Sequence, residues 1–587
     1  MNIDAWITAV VIVVVLFALV RQMASPWVVI LSGTIALLVT GVLTPGQAFS
    51  GFSNPAPITV AALYVLAAAV EKTGILAGLL NRTLGERGKY RRPLFRLLIP
   101  TVSASAFLNN TPIVAMLIPQ VTAWAERRGI SPSKLLMPVS FAALLGGTLT
   151  VIGTSTNLVV SGQMRELGLD EIGFFEVGKL GLPFALIGIV LLIIAAPRVL
   201  PNRRSALGEI KEEGKRFSIE MTVEPGGYVD GKTVDVAGLR SLPGLFLVSA
   251  DRGDTVIAPV RPDTVLRGGN RLRFVGTRDK VVNAQHLPGL QSTEQKHVMD
   301  LDSPAAKYFE VVVGPGSPLI GRSLSESGFR STYQAAVVGI HRAGQLVDGQ
   351  LGSEPIRLAD TLIIVSDPDF RERWRDRSDF LLIAAVNGSP SVPTRHAWIP
   401  ITVLAVVIGL AAFNVLPILE GALLGAGALV LTRVLTLQEA RRSIDVDVIV
   451  TIAAAFGLAA GMQQSGLAGS IARGLVDVFG FLGPIGVLLG LMLTTLLLTE
   501  IVTNNAAALL MLPIAVASAQ SVGLDPRGVA IAVAVAASSS FLTPIGYQTN
   551  MMVYGPGGYR FTDYARLGWI LTLTVLIVTV TLTPIFW

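Results

Sequence analysis

The 587-residue chain has no cysteine and only four histidines. No disulfide frame, thiol nucleophile or thiolate metal site is therefore available. No nucleophile–base pattern stands between the apolar regions, so the chain reads as a non-enzyme. Charge is scarce as well: Asp, Glu, Lys and Arg make up 15% of residues, against about 25% in an ordinary soluble globule. What the chain has instead is apolar sequence, 51% of its residues. These residues come in runs of about 17–25, the length that crosses ~30 Å of hydrocarbon. The net charge of +6 comes from basic residues in connecting loops, a topological pattern that gives no reason to expect nucleic acid. Ala5 to Val20 has no basic segment before it and no small-residue cleavage site after it, so a retained span is expected there.

Spans are expected near 5–20, 26–43 and 54–72, followed by a broken apolar stretch at 94–122 and spans at 135–162 and 178–200. After a charged interval the plan returns, with spans at 397–414, 416–433 and 445–465, a broken stretch at 481–519, then 526–553 and 564–586. The loop from Arg82 to Arg96 carries six cations against one Glu and is expected in the cytoplasm. If each broken stretch enters and returns as a re-entrant hairpin, both termini fall outside and residues 202–395 inside. The halves 1–201 and 396–587 then share one plan in opposite orientations. Such inverted-topology repeats are the architecture of secondary transporters. The expected fold is an α-helical polytopic inner-membrane protein with two re-entrant hairpins and an inserted cytoplasmic α+β tandem domain.

The insert changes character, with short alternating strands, many charges and turns such as Glu224-Pro-Gly-Gly227 and Gly314-Pro-Gly316. It repeats itself at an offset of 90, where VEPGGYVDGKTVDVAGLR (223–240) matches VGPGSPLIGRSLSESGFR (313–330), and one residue further on, at 91, where LRGGNRL (266–272) matches RLADTLI (357–363). Two copies of one α+β unit, 202–296 and 297–395, are expected.

The two broken stretches match each other. SASAFLNNTPIVAMLIP (103–119) and LLTEIVTNNAAALLMLP (497–513) align at an offset of 394, pairing Ser105 with Thr499, Asn109 with Thr503, Asn110 with Asn504 and Thr111 with Asn505. Adjacent asparagines at membrane depth are costly unless they bond something. One such pair reads equally well as interhelical hydrogen bonding. Two pairs in register in inverted halves point to a helix break that offers neutral oxygens, which suits a hard monovalent cation. A second match follows each hairpin: GGTLTVIGTSTNLVVSG (146–162) parallels SSSFLTPIGYQTNMMVYG (538–555), pairing Gly153 with Gly546, Thr156 with Thr549 and Asn157 with Asn550. Glycine and hydroxyl residues inside an apolar span are what an unwound, ligand-facing break needs, although they also serve close helix packing.

Hairpin tips of the Ser-Asn-Thr type, each paired with a later Gly-Thr-x-x-Asn break, resemble the divalent anion/sodium symporter family over nearly the whole chain outside the insert. That resemblance implies two sodium sites flanking one anion. The first would use Ser105, Asn109, Asn110 and the Gly153 carbonyl; the second Thr499, the Val502 carbonyl, Asn504 and the Gly546 carbonyl. The anion would lie among Asn110, Thr111, Thr156, Asn157, Asn504, Asn505, Thr549 and Asn550. The breaks read GTSTN and GYQTN, without the paired prolines of dicarboxylate carriers, and look more like the sulfate branch. The insert halves resemble TrkA-C modules, which implies an unidentified regulatory ligand and a homodimer. No cationic side chain lies in either tip or break, so amides, hydroxyls and helix N-termini would hold the anion, and sodium would supply the compensating charge. The expectation is a sodium-coupled elevator-type carrier of a divalent anion, most simply sulfate. A proton- or sodium-coupled dicarboxylate carrier stays open, as does a channel gated by the insert, although no TVGYG-like filter is present.

Overall fold

The computed structural model describes residues 2–21, 23–74, 91–203, 398–587 and, between them, 217–292 and 307–385 apart from 240–241, 243–244, 253–254, 258–259, 277–286, 343–344, 348–350, 375–376 and 378. Residues 82–90 of the basic loop thus lie outside the described residues.

The first helical half comprises α1 (Ile3–Val20), α2 (Pro26–Val39), α3 (Pro55–Lys72), α4 (Arg91–Ser105), α5 (Asn110–Arg127), α6 (Leu136–Gly147), α7 (Ser155–Glu166) and α8 (Gly178–Val199). Local chemistry sets several starts. Asn2 caps α1 by accepting from the Ala5 N–H at 2.9 Å, and Asn54 caps α3 ahead of Pro55 at its first position. The second half comprises α9 (Trp398–Ala412), α10 (Ile418–Leu431), α11 (Val446–Gln464), α12 (Leu467–Phe479), α13 (Gly483–Thr499), α14 (Asn504–Val522), α15 (Pro526–Ala537), α16 (Gln548–Tyr554) and α17 (Phe561–Phe586). Among the described residues, seven helical segments are long and apolar enough to cross a membrane.

Two of the expected spans are not continuous helices. The stretch at 135–162 divides into α6 and α7 around residues 148–154, and 526–553 into α15 and α16 around 538–547. The same Gly, Ser and Thr residues that marked these breaks interrupt the helical ladder. The two halves interlock across the breaks: α14 packs on α7, and α16 packs on α5 and α6. Ion pairs fasten the ends, with Arg527 on Glu176 at 2.6 Å and Arg203 on the buried Asp563 at 2.5 Å.

Among the described residues between the halves, the strands form two five-stranded antiparallel sheets. β1 (Phe217–Val223), β2 (Leu245–Arg252), β3 (Thr255–Ile257), β4 (Arg271–Gly276) and β5 (Leu290–Ser292) order as β3-β2-β4-β1-β5. β6 (Lys307–Val313), β7 (Ala336–Arg342), β8 (Gln345–Leu346), β9 (Thr361–Ser366) and β10 (Phe380–Ala385) order as β10-β6-β9-β7-β8. Read from opposite ends the two orders are the same, so the 90-residue sequence repeat is a repeat of topology. Strand alternation splits β6: Phe309, Val311 and Val313 enter the sheet's own core, while Val312 on the other face joins the helical core with Leu382 and Ala384 of β10. Thr361 of β9 sits so close to Gly555 that a β-carbon there would overlap its hydroxyl. The second sheet is therefore seated on α5 and on the end of α16.

Candidate functional site

Four helices begin at one place. Asn109 precedes α5, Thr154 precedes α7, Thr503 precedes α14 and Tyr547 precedes α16. All four are extended residues, and none caps its helix with a side-chain hydrogen bond. Among the described residues the N–H groups of the first two residues of each helix are left open, whereas Asn157 and Asn550 turn theirs back to the Thr154 and Tyr547 carbonyls and Pro112 has none. Each helix directs the positive end of its dipole toward this point. Side chains knit the four starts together. Asn110 Nδ2 donates to the Tyr547 hydroxyl at 2.6 Å, and that hydroxyl lies 3.2 Å from Thr154 Oγ1. Thr111 Oγ1 donates to Gln548 Oε1 at 3.2 Å. Ser155 and Thr156 hydroxyls both donate to Asn505 Oδ1, at 3.3 and 3.1 Å. Each hairpin tip thus touches the break of the opposite half.

The two halves repeat one hydrogen-bond pattern. Ser105 Oγ donates to Asn110 Oδ1 at 2.6 Å; its counterpart Thr499 Oγ1 stands 3.5 Å from Asn504 Oδ1 and donates to the Ala537 carbonyl at 2.5 Å. Asn157 Nδ2 donates to the carbonyls of Gly147 and Thr150 at 3.0 and 2.9 Å; Asn550 Nδ2 donates to those of Ser540 and Thr543 at 2.9 and 3.4 Å. The Thr150 hydroxyl bonds the Ala106 carbonyl as the Thr543 hydroxyl bonds that of Glu500. A β-carbon on Gly153 would stand 3.0 Å from the Ser105 carbonyl oxygen, and one on Gly546 3.0 Å from that of Thr499. Only glycine lets each break approach its hairpin so closely. Carbonyls at the ends of α4 and α13 and open amides at the starts of the next helices are thus held side by side.

A cavity of about 1700 Å³ opens from this meeting point. Its wall includes Asn109, Thr111, Ser155, Thr156, Thr503, Asn504, Asn505, Tyr547 and Gln548, and extends to Arg371, Arg377 and Phe380 of the second sheet unit. Of the residues expected to touch an anion, Thr111, Thr156, Asn504 and Asn505 are in that wall. Asn157, Thr549 and Asn550 lie behind it with no more than a trace of exposed surface, and Asn110 is 1% exposed. Asn550 is fully engaged, since its Oδ1 also accepts from Ser140 Oγ at 2.7 Å; Asn157 Oδ1 has no partner among the described residues. Val502 lines the cavity too. Sequence reasoning passed over Tyr547 and Gln548, the two residues that tie break to tip. The available signal was positional: at the 393 offset they align with Thr154 and Ser155.

Helices broken in pairs inside an apolar bundle, with their starts converging on a deep cavity, define a multi-pass membrane transporter. Residues 12–536 match the citrate transporter family, CitMHS, and the chain belongs to that family. It is 33% identical to the "Putative sulfur deprivation response regulator" of Chlamydomonas reinhardtii, over 96% of this chain and 98% of that one. It is 35% identical to "Uncharacterized transporter sll0640" of Synechocystis sp., over 93% of this chain and 91% of that protein. With "Sodium/sulfate cotransporter 2" of Chlamydomonas reinhardtii it shares 25% identity over 90% of this chain and 83% of the other.

Proposed function

We propose that this protein is a secondary active transporter that carries sulfate together with sodium by an elevator-type movement. The observation that carries the reading is the meeting of four uncapped helix starts with the carbonyl ends of two hairpin helices, in two matching copies. Open amides and dipole ends favour an oxyanion, and carbonyl, hydroxyl and amide oxygens favour a hard monovalent cation. None of the proposed site residues is a Lys, Arg or His, so two bound cations would supply the charge that makes anion binding favourable. Dependence of one ligand on the other is coupling. Relatives named sodium/sulfate cotransporters support the same pair of ligands.

In this reading Ser105, Asn109, Asn110 and the Gly153 carbonyl hold one sodium ion, and Thr499, Asn504 and the Val502 and Gly546 carbonyls the other. Thr111, Thr156, Asn504 and Asn505 meet the anion with Asn110, while Asn157, Thr549 and Asn550 hold the breaks in shape behind it. The hairpins α4–α5 and α13–α14 are re-entrant, both termini are outside the inner membrane, and the sheet-bearing segment is cytoplasmic, with TrkA-C-like units that regulate transport in a homodimer. Uptake of labelled sulfate by proteoliposomes under an inward sodium gradient, with excess unlabelled succinate or citrate, tests the substrate. Sulfate uptake that neither carboxylate reduces is expected. Efficient competition by either would move the assignment to the carboxylates.

A further inference from the structure

The second break differs from the first in a side chain that the sites above leave unused. Glu500 closes α13, is 8% exposed, and reaches across to the turn that follows α15. Its Oε1 accepts the backbone N–H groups of Phe541 and Leu542 at 2.7 and 2.8 Å; its Oε2 accepts the Thr543 N–H at 2.9 Å and the Ser540 hydroxyl at 3.0 Å. In the first half the aligned residue is Ala106, and no carboxylate is present. The counterparts of the Phe541 and Leu542 amides there, those of Thr148 and Leu149, turn back to the carbonyls of Leu145 and Gly146. The carboxylate has replaced those carbonyls and opened the turn. Its Oε2 also lies 3.0 Å from the point a Gly546 β-carbon would occupy, as does the Thr499 carbonyl oxygen.

A carboxylate in so buried a place is costly, and four neutral donors offset that cost only in part. A monovalent cation beside it would complete the compensation. We propose that Glu500 is a positioning residue for the second cation site: it clamps the 540–543 turn so that the Thr499 and Gly546 carbonyls converge, and its charge makes this site the stronger of the two. The inference rests on the sodium-coupled reading and adds an asymmetry to it. The first site is built from neutral oxygens alone, whereas the second is built around a fixed negative charge.

The test compares Glu500→Gln and Glu500→Asp with wild type in the full-length protein, by two readouts. One is the sodium concentration for half-maximal sulfate uptake in proteoliposomes. The other is the sodium-induced rise in unfolding temperature in detergent, with choline chloride as the control. Removing a charge near a bound cation is expected to raise the half-saturating sodium concentration roughly tenfold or more in both readouts. The sulfate KM at saturating sodium should stay within about threefold, since the anion meets the same groups. Glu500→Asp keeps the charge one methylene short and should fall between the two. Should Glu500→Gln not yield folded protein, the Asp variant decides, and wild-type sodium dependence in it would overturn the proposal. Lower thermal stability with unchanged sodium half-saturation would reduce Glu500 to a turn cap and overturn it too. A wild-type protein indifferent to sodium in both readouts would instead overturn the sodium reading, and this inference with it.

Discussion

The Tyr547 hydroxyl joins both halves at once, meeting Asn110 Nδ2 of one hairpin tip and Thr154 Oγ1 of the first break. Removing it leaves the Asn110 amide without its acceptor in a buried place, where one hydrogen bond is worth about 1 kcal/mol net and an orphaned donor costs more. Tyr547→Phe is therefore expected to lower kcat/KM for sulfate about tenfold, through loss of about 1.4 kcal/mol, with the protein still folded. Uptake and unfolding temperature measured on the same preparation check both halves of that statement. A single buried Tyr in an apolar span reads as core, which is why its part was not legible. Asn110, Asn504, Gly153 and Gly546 were legible because each is chemically out of place at membrane depth and each has a partner at the same offset in the other half.

Among the elements, the breaks and hairpins could be read directly, since Gly and hydroxyl residues interrupting an apolar run disrupt a helix. Their exact extent could not, and α6–α7 and α15–α16 read as single spans. The seating of the second sheet on α5 was also hidden. Val312, Leu382 and Ala384 look like ordinary strand residues until the other face of the sheet is seen to be covered. That seating buries Glu310 of β6, which is 6% exposed, and its Oε1 has no partner among the described residues. Burial, together with the charge of Glu126 on α5, pushes its carboxyl up from 4.5 to about 7. A carboxyl whose folded pKa is raised costs nothing below the unfolded value of 4.5. Stability falls as pH rises from there through about 7, because only the unfolded chain releases its proton freely. Glu310→Gln should remove this dependence, leaving the variant more stable than wild type above pH 7 by on the order of 3 kcal/mol, with the gap closing toward pH 4.5. Unfolding midpoints across pH 5–8 check it, and a gap that does not widen with pH would contradict it.

At the scale of the whole molecule, the duplication is written twice in the sequence, at offsets near 394 in the helices and 90 in the sheets. Both survive in the structure as matching hydrogen bonds and matching strand order. What duplication alone does not convey is that each hairpin tip bonds the other half's break, as Asn505 does with Thr156 and Asn110 with Tyr547. Neither half forms this meeting point by itself, because each tip is hydrogen-bonded to the opposite half's break. The most direct measurement is labelled sulfate uptake by proteoliposomes of the wild type and of Asn504→Ala, under an inward sodium gradient and under potassium in its place. Uptake by the wild type that requires sodium, and falls by about tenfold or more in a folded Asn504→Ala protein, is the expected result, since a lost site ligand leaves its neighbours unpaired. Sulfate uptake equal in sodium and potassium, or full sodium-driven uptake by Asn504→Ala, would contradict the paired-site account of coupling.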